Sequence, residues 1–296
     1  MSDIISELNK ILSNYAKGNV HNAYSKLKKF SIKHPDNEKI KFNLAVMEQN
    51  QGLNNLAKKS YKKLIDTYDN FNAKINLYLL FLRDKDYINA IKIIDLILKT
   101  NPDLNDVLVD KAYILLKSKN LNGCIEICNF VLSKEKSNIK AIDLVGQCFL
   151  EEKKYKKAEE KFLEGISYEF NNIALLNSLG KLYFELWDLK KSESFYLKAV
   201  QYNPKSYQTL NNIAGFYLET NNSNQALYYY QKALEVVSNE ATILNNLSKT
   251  YLSLNNIKKA EQYCLKALNI KEDDSFKKVL SIIYFRKLDF KKAWKF

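Results

Sequence analysis

The sequence predicts an all-α protein, built as a solenoid of helical hairpins. Three observations point to this fold class: small residues recur every 33 or 34 residues, apolar residues between them recur with a helical period, and glycine and proline are scarce. The chain has 296 residues but only 7 Gly and 3 Pro, and β-sandwiches or loop-rich α/β enzymes need more of both at their turns. Because 46% of the residues are hydrophobic, a disordered chain is also excluded.

Nine small residues mark the repeat, and we number each repeat so that this anchor is position 20. Three further columns share the period, with small residues at position 8 and mostly large apolar or aromatic residues at positions 11 and 24. Small residues at positions 8 and 20 let two antiparallel helices approach closely, and the aromatic side chains fill the space beside them. The anchors are Ala23, Ala57, Ala90, Cys124, Ala158, Ser192, Ala226, Ala260 and Ala293.

The prolines fix the phase of the pattern, because Pro35, Pro102 and Pro204 each lie twelve residues after an anchor. Proline has no N–H and clashes with the preceding helical turn, so it ends the second helix of a hairpin. Polar residues that follow the prolines are expected to cap the next helix, namely Asp36, Asp103 and Ser206. The turns inside the hairpins carry residues that tolerate a left-handed backbone, namely Gly18, Gly52, Asn221, Asn222, Asn255 and Asn256.

These columns resemble the tetratricopeptide repeat family. The resemblance rests on Leu176-x2-Leu179-Gly180-x2-Tyr183, followed by Ser192-x3-Tyr196-x2-Ala199 and Pro204, and on the matching pattern from Leu210 to Ala233. It implies a right-handed α-α superhelix of about nine hairpins, the last incomplete, whose first helices line a concave groove. Because the composition shows no break, we predict a single solenoid over residues 1–296. Repeats 1–4 (about 4–138) are divergent, repeats 5–8 (about 139–272) match the family closely, and partial repeat 9 covers about 273–296.

The ninth repeat has a first helix over about 275–287 but only seven residues, 290–296, of a second helix. Seven residues do not hold a helix in water, so Trp294 is expected to lack most of its packing. Two interpretations stay open, a frayed tail and a longer polypeptide. The stretch Leu288-Asp289-Phe290-x2-Ala293-Trp294 resembles the junction at which such repeats precede a glycosyltransferase or sulfotransferase domain in bacterial proteins.

The residues at position 6 of the repeat indicate a ligand-binding groove. In the family, positions 2, 6, 9 and 13 of the first helix face the groove, and here position 6 is asparagine in five of nine repeats. The column resembles the asparagine ladder of the repeat domain of O-GlcNAc transferase, and an amide can both donate to and accept from an extended peptide backbone. The alternative is compositional, because this chain is asparagine-rich throughout, as an AT-rich genome would produce. The predicted groove residues are Asn9, Asn43, Asn76, Asp110, Asn212, Asn246, Lys39, Arg83, Lys117 and Tyr113.

Apolar residues in the N-terminal half of this groove either anchor a ligand or belong to the core; they are Ile5, Leu12, Val46, Leu79 and Tyr113. Chaperone-binding members of the family grip a C-terminal carboxylate with a lysine and asparagine pattern. Only Asn43 fits that pattern here, so we predict no carboxylate clamp. Most of the net charge of +13 lies on the second helices and the turns before them, which we interpret as a solvated convex face.

The sequence contains no P-loop, HExxH, GxSxG or GxGxxG motif and only two histidines, so we predict no catalysis by this chain, no cofactor and no metal. The four cysteines match no zinc spacing and are interpreted as small buried residues. The N-terminus lacks the features of a signal peptide, and the longest apolar run is too short to span a membrane. We therefore expect a cytoplasmic location and no membrane partner.

The sequence thus predicts a protein–protein interaction scaffold that binds an extended peptide or a partner helix in the groove. One alternative is the non-catalytic substrate-recognition arm of a larger transferase, with a catalytic domain C-terminal to residue 296. Another is nucleic-acid binding through the basic convex face. Against it, only two of the 46 basic residues are arginine, the side chain that best forks onto phosphates and bases: Arg83 and Arg286.

Overall fold

The computed structural model describes residues 2–295, which form 18 α-helices and no β-strand. Met1 and Phe296, the two ends of the predicted solenoid, lie outside the described residues. The first helices of the hairpins are α1 (Ser2–Ala16), α3 (Glu38–Asn50), α5 (Phe71–Arg83), α7 (Asn105–Lys117), α9 (Ile139–Glu151), α11 (Ile173–Glu185), α13 (Tyr207–Glu219), α15 (Ala241–Ser253) and α17 (Asp274–Arg286). The second helices are α2 (Val20–Lys33), α4 (Asn54–Tyr68), α6 (Tyr87–Thr100), α8 (Leu121–Lys134), α10 (Tyr155–Tyr168), α12 (Leu189–Tyr202), α14 (Ser223–Val236), α16 (Ile257–Ile270) and α18 (Phe290–Ala293).

The repeat period sets the bounds of the helices. From the second repeat onwards, every first helix begins at position 1 and ends at position 13, as α9 does from Ile139 to Glu151. Within residues 2–117 and 139–295, consecutive helices pack as hairpins, and the second helix of one hairpin packs on the first helix of the next, as α4 does on α5 and α14 on α15. This is the packing of a solenoid of helical hairpins, so the predicted fold class is confirmed.

Short polar side chains begin several of the first helices. The Asn138 and Asn172 side chains accept hydrogen bonds from the backbone N–H groups three residues on, at 3.0 and 3.1 Å. Ser206 caps α13 in the same way, at 3.3 Å from the backbone nitrogen of Thr209, as predicted. Each such cap satisfies a backbone donor that the first helical turn leaves unpaired.

The other two predicted caps are wrong. Asn37, not Asp36, caps α3, and its Oδ1 accepts from the Ile40 N–H at 3.1 Å. Leu104, not Asp103, occupies the N-cap position of α7 and makes no side-chain cap hydrogen bond. The reason is positional, because the N-cap is the residue just before position 1 of the next repeat and both aspartates stand one residue earlier.

The turn inside each hairpin places position 15 in the left-handed backbone region. Gly18, Gly52, Asn221 and Asn255 adopt it as predicted, with φ between 56° and 90°. Five side chains that disfavour this conformation adopt it in the remaining hairpins, namely Lys85, Lys119, Lys153, Trp187 and Leu288. The backbone conformation at position 15 is therefore set by the geometry of the hairpin and not by which residue stands there.

The columns of small residues are explained by the aromatic rings that they face. A Cβ added at Gly146 would lie 2.3 Å from a ring carbon of Phe162, and one added at Gly180 would lie 2.8 Å from the ring of Tyr196. Position 8 must therefore be small where position 24 is a large aromatic. The anchor Ser192 is fully buried, and its Oγ donates to the Gly180 carbonyl at 2.8 Å.

The chain divides into two compact units, Met1–Ile127 and Cys128–Phe296, with the boundary inside α8. In the N-terminal unit, a buried cluster runs from α3 to α7 and a second one joins α1, α2 and α3. In the C-terminal unit, the largest cluster runs from α12 to α17, and another joins α9, α10 and α11. A single solenoid over residues 1–296 stays a prediction.

The last hairpin pairs α17 with the single turn of α18. Ser281 on α17 donates to the Ala293 carbonyl at 2.9 Å and holds the two together. Trp294 is 91% exposed, so the prediction that it lacks packing is confirmed.

Candidate functional site

The candidate site lies on the first helices of the C-terminal unit. Helices α9, α11, α13 and α15 lie in order, and each contacts the next. Their predicted groove positions face one surface, which contains two neighbouring recesses. We call this surface the amide face, after the four asparagines that line its recesses: Asn177, Asn211, Asn212 and Asn246.

The larger recess has a volume of about 340 Å³ and lies where α9, α11 and α13 meet. The Asp143 carboxylate accepts hydrogen bonds from Ser178 and Gln147, both at 2.7 Å. Asn177 donates to Thr209 at 3.0 Å, while its buried Oδ1 has no hydrogen-bond partner among residues 2–295. The recess therefore combines a carboxylate held by two hydrogen bonds with an amide whose oxygen is buried and unpaired within the described residues.

The smaller recess, about 220 Å³, lies where α11, α13 and α15 meet and shares Tyr196 and Asn212 with the larger one. Aromatic rings form much of its lining, and the Phe216 ring lies 6.0 Å from Phe184 and 5.8 Å from Tyr196 between centroids. Amide groups complete its sides. Its lining residues are Phe184, Tyr196, Asn211, Asn212, Gly215, Phe216, Glu219, Tyr230 and Asn246.

Two buried phenols belong to this recess, and both keep their protons at neutral pH. Burial, and then the Glu185 carboxylate, raises the pKa of Tyr196 well above its usual value. Burial, and then the Glu219 carboxylate, does the same to the pKa of Tyr230. Each hydroxyl can therefore both donate and accept a hydrogen bond.

The two predicted ladder residues of the C-terminal unit differ in their partners. Asn246 donates to the Asn211 Oδ1 of the preceding first helix at 3.2 Å. Asn212 is exposed, lines both recesses, and makes no hydrogen bond within the described residues. Asn212 is thus the ladder residue best placed to bind a ligand on the amide face.

The ladder residues of the N-terminal unit are mostly engaged within the chain. Asn43 donates to the Lys39 carbonyl at 2.8 Å, and Asn76 donates to the Tyr61 hydroxyl at 3.1 Å. Asn9 is exposed on α1, beside a shallow surface that includes Lys10. These contacts leave Asn43 and Asn76 less free than the column pattern suggests, and the peptide-binding role of all three stays a prediction.

The other predicted groove residues also lie on the N-terminal unit. The Tyr78 hydroxyl donates to Asp110 at 3.1 Å. The Arg83 side chain lies 3.7 Å from the Asp84 carboxylate. The remaining members are Lys39, which is exposed, and Lys117, whose Nζ lies 5.1 Å from the centroid of the exposed Tyr113 ring.

The apolar groove residues of this unit divide between the surface and the core. Ile5, Leu79 and Tyr113 are exposed, so they are free to anchor a ligand. Leu12 and Val46 are partly buried and pack against the hydrophobic clusters. Both interpretations that the sequence leaves open therefore apply, each to different residues.

Sequence reasoning missed several residues of the amide face, and four of them bear on binding. Asn177 and Asn211 stand at position 5, which lies outside the groove columns taken from the family. Tyr196 and Tyr230 stand in the core column at position 24. The hydroxyls of Tyr196 and Tyr230 could have indicated a site from the sequence, because a buried tyrosine usually needs a hydrogen-bond partner and a buried phenylalanine does not.

Many second-helix lysines lie over aromatic rings of their own hairpin. Lys191 Nζ lies 4.8 Å from the centroid of Tyr183, and Lys259 Nζ lies 5.2 Å from that of Tyr251. In both pairs the lysine is at position 19 and the ring at position 11. Part of the basic charge thus makes cation–π contacts that the sequence did not predict.

The four cysteines are buried and form no disulfide, as their interpretation as small buried residues requires. Residues 2–295 contain no group of three or more histidine, cysteine or acidic side chains able to hold a metal ion. No helix in the same range is both long and apolar enough to cross a membrane.

Comparison with known families identifies the repeat. Residues 173–206 and 205–273 each match a family model of the tetratricopeptide repeat. The matched residues carry most of the amide face. No curated protein matches the chain in sequence.

Solved structures share the fold at low sequence identity. Yeast Tom70 is 16% identical with a TM-score of 0.74, over 93% of this chain and 60% of Tom70. The APC/C hetero-tetramer Cut9–Hcn1 is 13% identical with a TM-score of 0.61, over 95% of this chain and 55% of that one. PilF of Pseudomonas aeruginosa is 17% identical with a TM-score of 0.55, over 64% of this chain and 87% of PilF. This chain thus spans little more than half of the Tom70 and Cut9–Hcn1 chains.

Proposed function

We propose that the chain is a protein-interaction scaffold that binds an extended segment of a partner protein along the amide face. The observation that carries the proposal is the exposed Asn212 side chain, which lines both recesses and makes no hydrogen bond within the described residues. An amide in this position can pair with the N–H and C=O groups of a peptide backbone.

The other polar groups of the face support an extended ligand. Asn177 lines the larger recess and Asn246 the smaller one, with Asn212 shared between the two. A peptide that crosses both recesses would meet amide groups along its length. Cut9–Hcn1, which shares the fold, is a hetero-tetramer, in keeping with a role in assembly.

The proposal assigns the chain a role in binding rather than in catalysis. A substrate-recognition arm of a larger transferase would use the same face in the same way, so it is an extension of this proposal. Nucleic-acid binding would instead use the lysines of the second helices and would weaken steeply with added salt.

Selection from a library of random linear peptides on the immobilised chain tests the proposal. We expect equal enrichment on the wild type and on Asn224→Ala, and weaker enrichment of the same sequences on Asn212→Ala. Asn224 is the matched control because it is an exposed asparagine on the second helix α14. Enrichment on Asn212→Ala equal to that on the wild type, or no enrichment on any of the three proteins, would contradict the proposal.

A further inference from the structure

Two tyrosine side chains of the smaller recess are buried, but their hydroxyls make no hydrogen bond within the part of the chain that the structure describes. Tyr196 is 6% exposed and Tyr230 is 1% exposed, and both line the recess. The Tyr230 hydroxyl lies beneath Gly215, 3.7 Å from where a Cβ at that glycine would stand. Neither hydroxyl oxygen is cut off from the recess, so each can donate to a ligand there or accept from it.

The same column elsewhere in the chain shows how a satisfied tyrosine is built. Tyr61, also at position 24, donates to Gln49 at 2.8 Å and accepts from Asn76 at 3.1 Å. Position 12, where Gln49 stands, is Phe184 in the repeat of Tyr196 and Leu218 in that of Tyr230. The later repeats thus keep the hydroxyl but lack its internal acceptor.

The charge in the recess favours a cation. Glu219 is the one charged residue among the described lining residues, and it makes no ion pair within residues 2–295. It is the last residue of α13, where the helix dipole already disfavours a negative charge. Glu185 ends α11 in the same way, and its carboxylate acts on Tyr196.

The walls favour a flat cation over a compact one. The rings of Phe184, Tyr196 and Phe216 line the recess and offer faces on which a planar group can stack. The lining residues offer several acceptors, namely the two phenol oxygens, the Asn246 amide oxygen and the Glu219 carboxylate. A guanidinium presents five N–H donors in one plane, whereas an ammonium is a compact, strongly hydrated charge.

The volume limits the ligand to a single side chain. At about 220 Å³, the recess is smaller than the roughly 300–1,000 Å³ of sites for drug-sized molecules and cofactors. We infer that the smaller recess receives an arginine side chain of the extended segment bound along the amide face, an inference that rests on the proposed function.

The peptide selection described above supplies the first test. We expect arginine at one fixed position of the peptides enriched on the wild type, and loss of that preference on Glu219→Gln. The net charge of +13 repels basic peptides in general, so a preference for arginine cannot come from non-specific attraction.

An enriched peptide then gives the second test, in which citrulline replaces its arginine. Citrulline keeps the shape of the side chain and removes its charge. We expect this change to weaken binding to the wild type by about tenfold or more, and to Glu219→Gln by less than about threefold. Tyr230→Phe should also weaken the arginine peptide but leave the melting temperature unchanged, because the lost hydroxyl has no internal partner.

The outcomes separate the two proposals. Peptides that depend on Asn212 but show no preference for arginine would overturn the arginine site and leave the proposed function standing. Equal affinities for the arginine and citrulline peptides would do the same. Failure of every peptide to bind would end both proposals.

Discussion

The hairpin turns show how a single residue can be forced into an unfavourable conformation. Position 15 is left-handed in all nine hairpins of the described chain, yet only four of the nine residues there are glycine or asparagine. Side chains with a Cβ lose roughly 1–2 kcal/mol in this region because the Cβ crowds the following carbonyl oxygen. These turns are therefore the sites where glycine should stabilise rather than destabilise the chain.

We expect Lys85→Gly to raise the free energy of unfolding by about 0.5–1 kcal/mol. Glycine relieves the strain of the left-handed backbone, and the greater freedom that it gives the unfolded chain offsets part of this gain. Lys85 has a φ of 59° and is exposed. Lys63→Gly, in the exposed middle of α4, is the control and should cost about 1 kcal/mol. Urea unfolding of both variants measures the difference, and a loss of stability at Lys85 would refute the strain argument.

Two glycines lead to opposite expectations, one packed against the Tyr196 ring and one in the lining of the smaller recess. Gly180→Ala should lower stability by about 1–3 kcal/mol, because the new methyl group would meet the Tyr196 ring at 2.8 Å. Gly215→Ala should raise it by about 0.5–1 kcal/mol through helix propensity, because its nearest neighbour is the Tyr230 hydroxyl at 3.7 Å. Thermal unfolding checks both signs. Gly215→Ala should also weaken peptide binding, because its methyl group enters the smaller recess.

At the scale of the element, the sequence predicted the helices better than their caps. The helix bounds follow from the 34-residue period, because every anchor lies at the same place in its hairpin. The caps at Asp36 and Asp103 were wrong by one residue, since the exact start of a helix depends on the preceding connection. A cap is therefore predictable from the repeat position once one hairpin is known, and not from residue type alone.

The caps predict a pair of changes of opposite sign. Asn172→Ala should cost about 1 kcal/mol, because it removes the acceptor at the start of α11. Lys154→Asn should gain about 0.5–1 kcal/mol, because Lys154 stands at the N-cap position of α10 without a side-chain cap. Chemical denaturation measures both. A Lys154→Asn protein no more stable than the wild type would show that the N-cap of α10 contributes little.

At the scale of the whole molecule, repetition made the fold predictable and hid the site. The period is visible because nine hairpins meet the same packing requirement. Comparison of the repeats assigns Tyr196 and Tyr230 to the core, because other repeats carry Leu27, Ile94 or Phe162 at the same position. What distinguishes the two tyrosines is the absence of an internal partner, and only the arrangement of neighbouring helices reveals it.

The prediction of a single solenoid over residues 1–296 can be tested by cooperativity. If the chain unfolds as one unit, Lys85→Gly and Gly180→Ala should move the midpoint of the same transition in opposite directions. Differential scanning calorimetry follows the transitions directly. Two transitions, each moved by only one of the variants, would contradict cooperative unfolding of the chain as one unit.

The central claim is that the amide face binds an extended protein segment through Asn212. The most direct test is the calorimetric Kd of a library-selected peptide for the wild type, Asn212→Ala and Asn224→Ala. We predict that Asn212→Ala weakens binding about three- to tenfold, the loss of one to two neutral hydrogen bonds, while its melting temperature is not lowered and Asn224→Ala binds as the wild type does. Equal Kd values for all three proteins would contradict the claim.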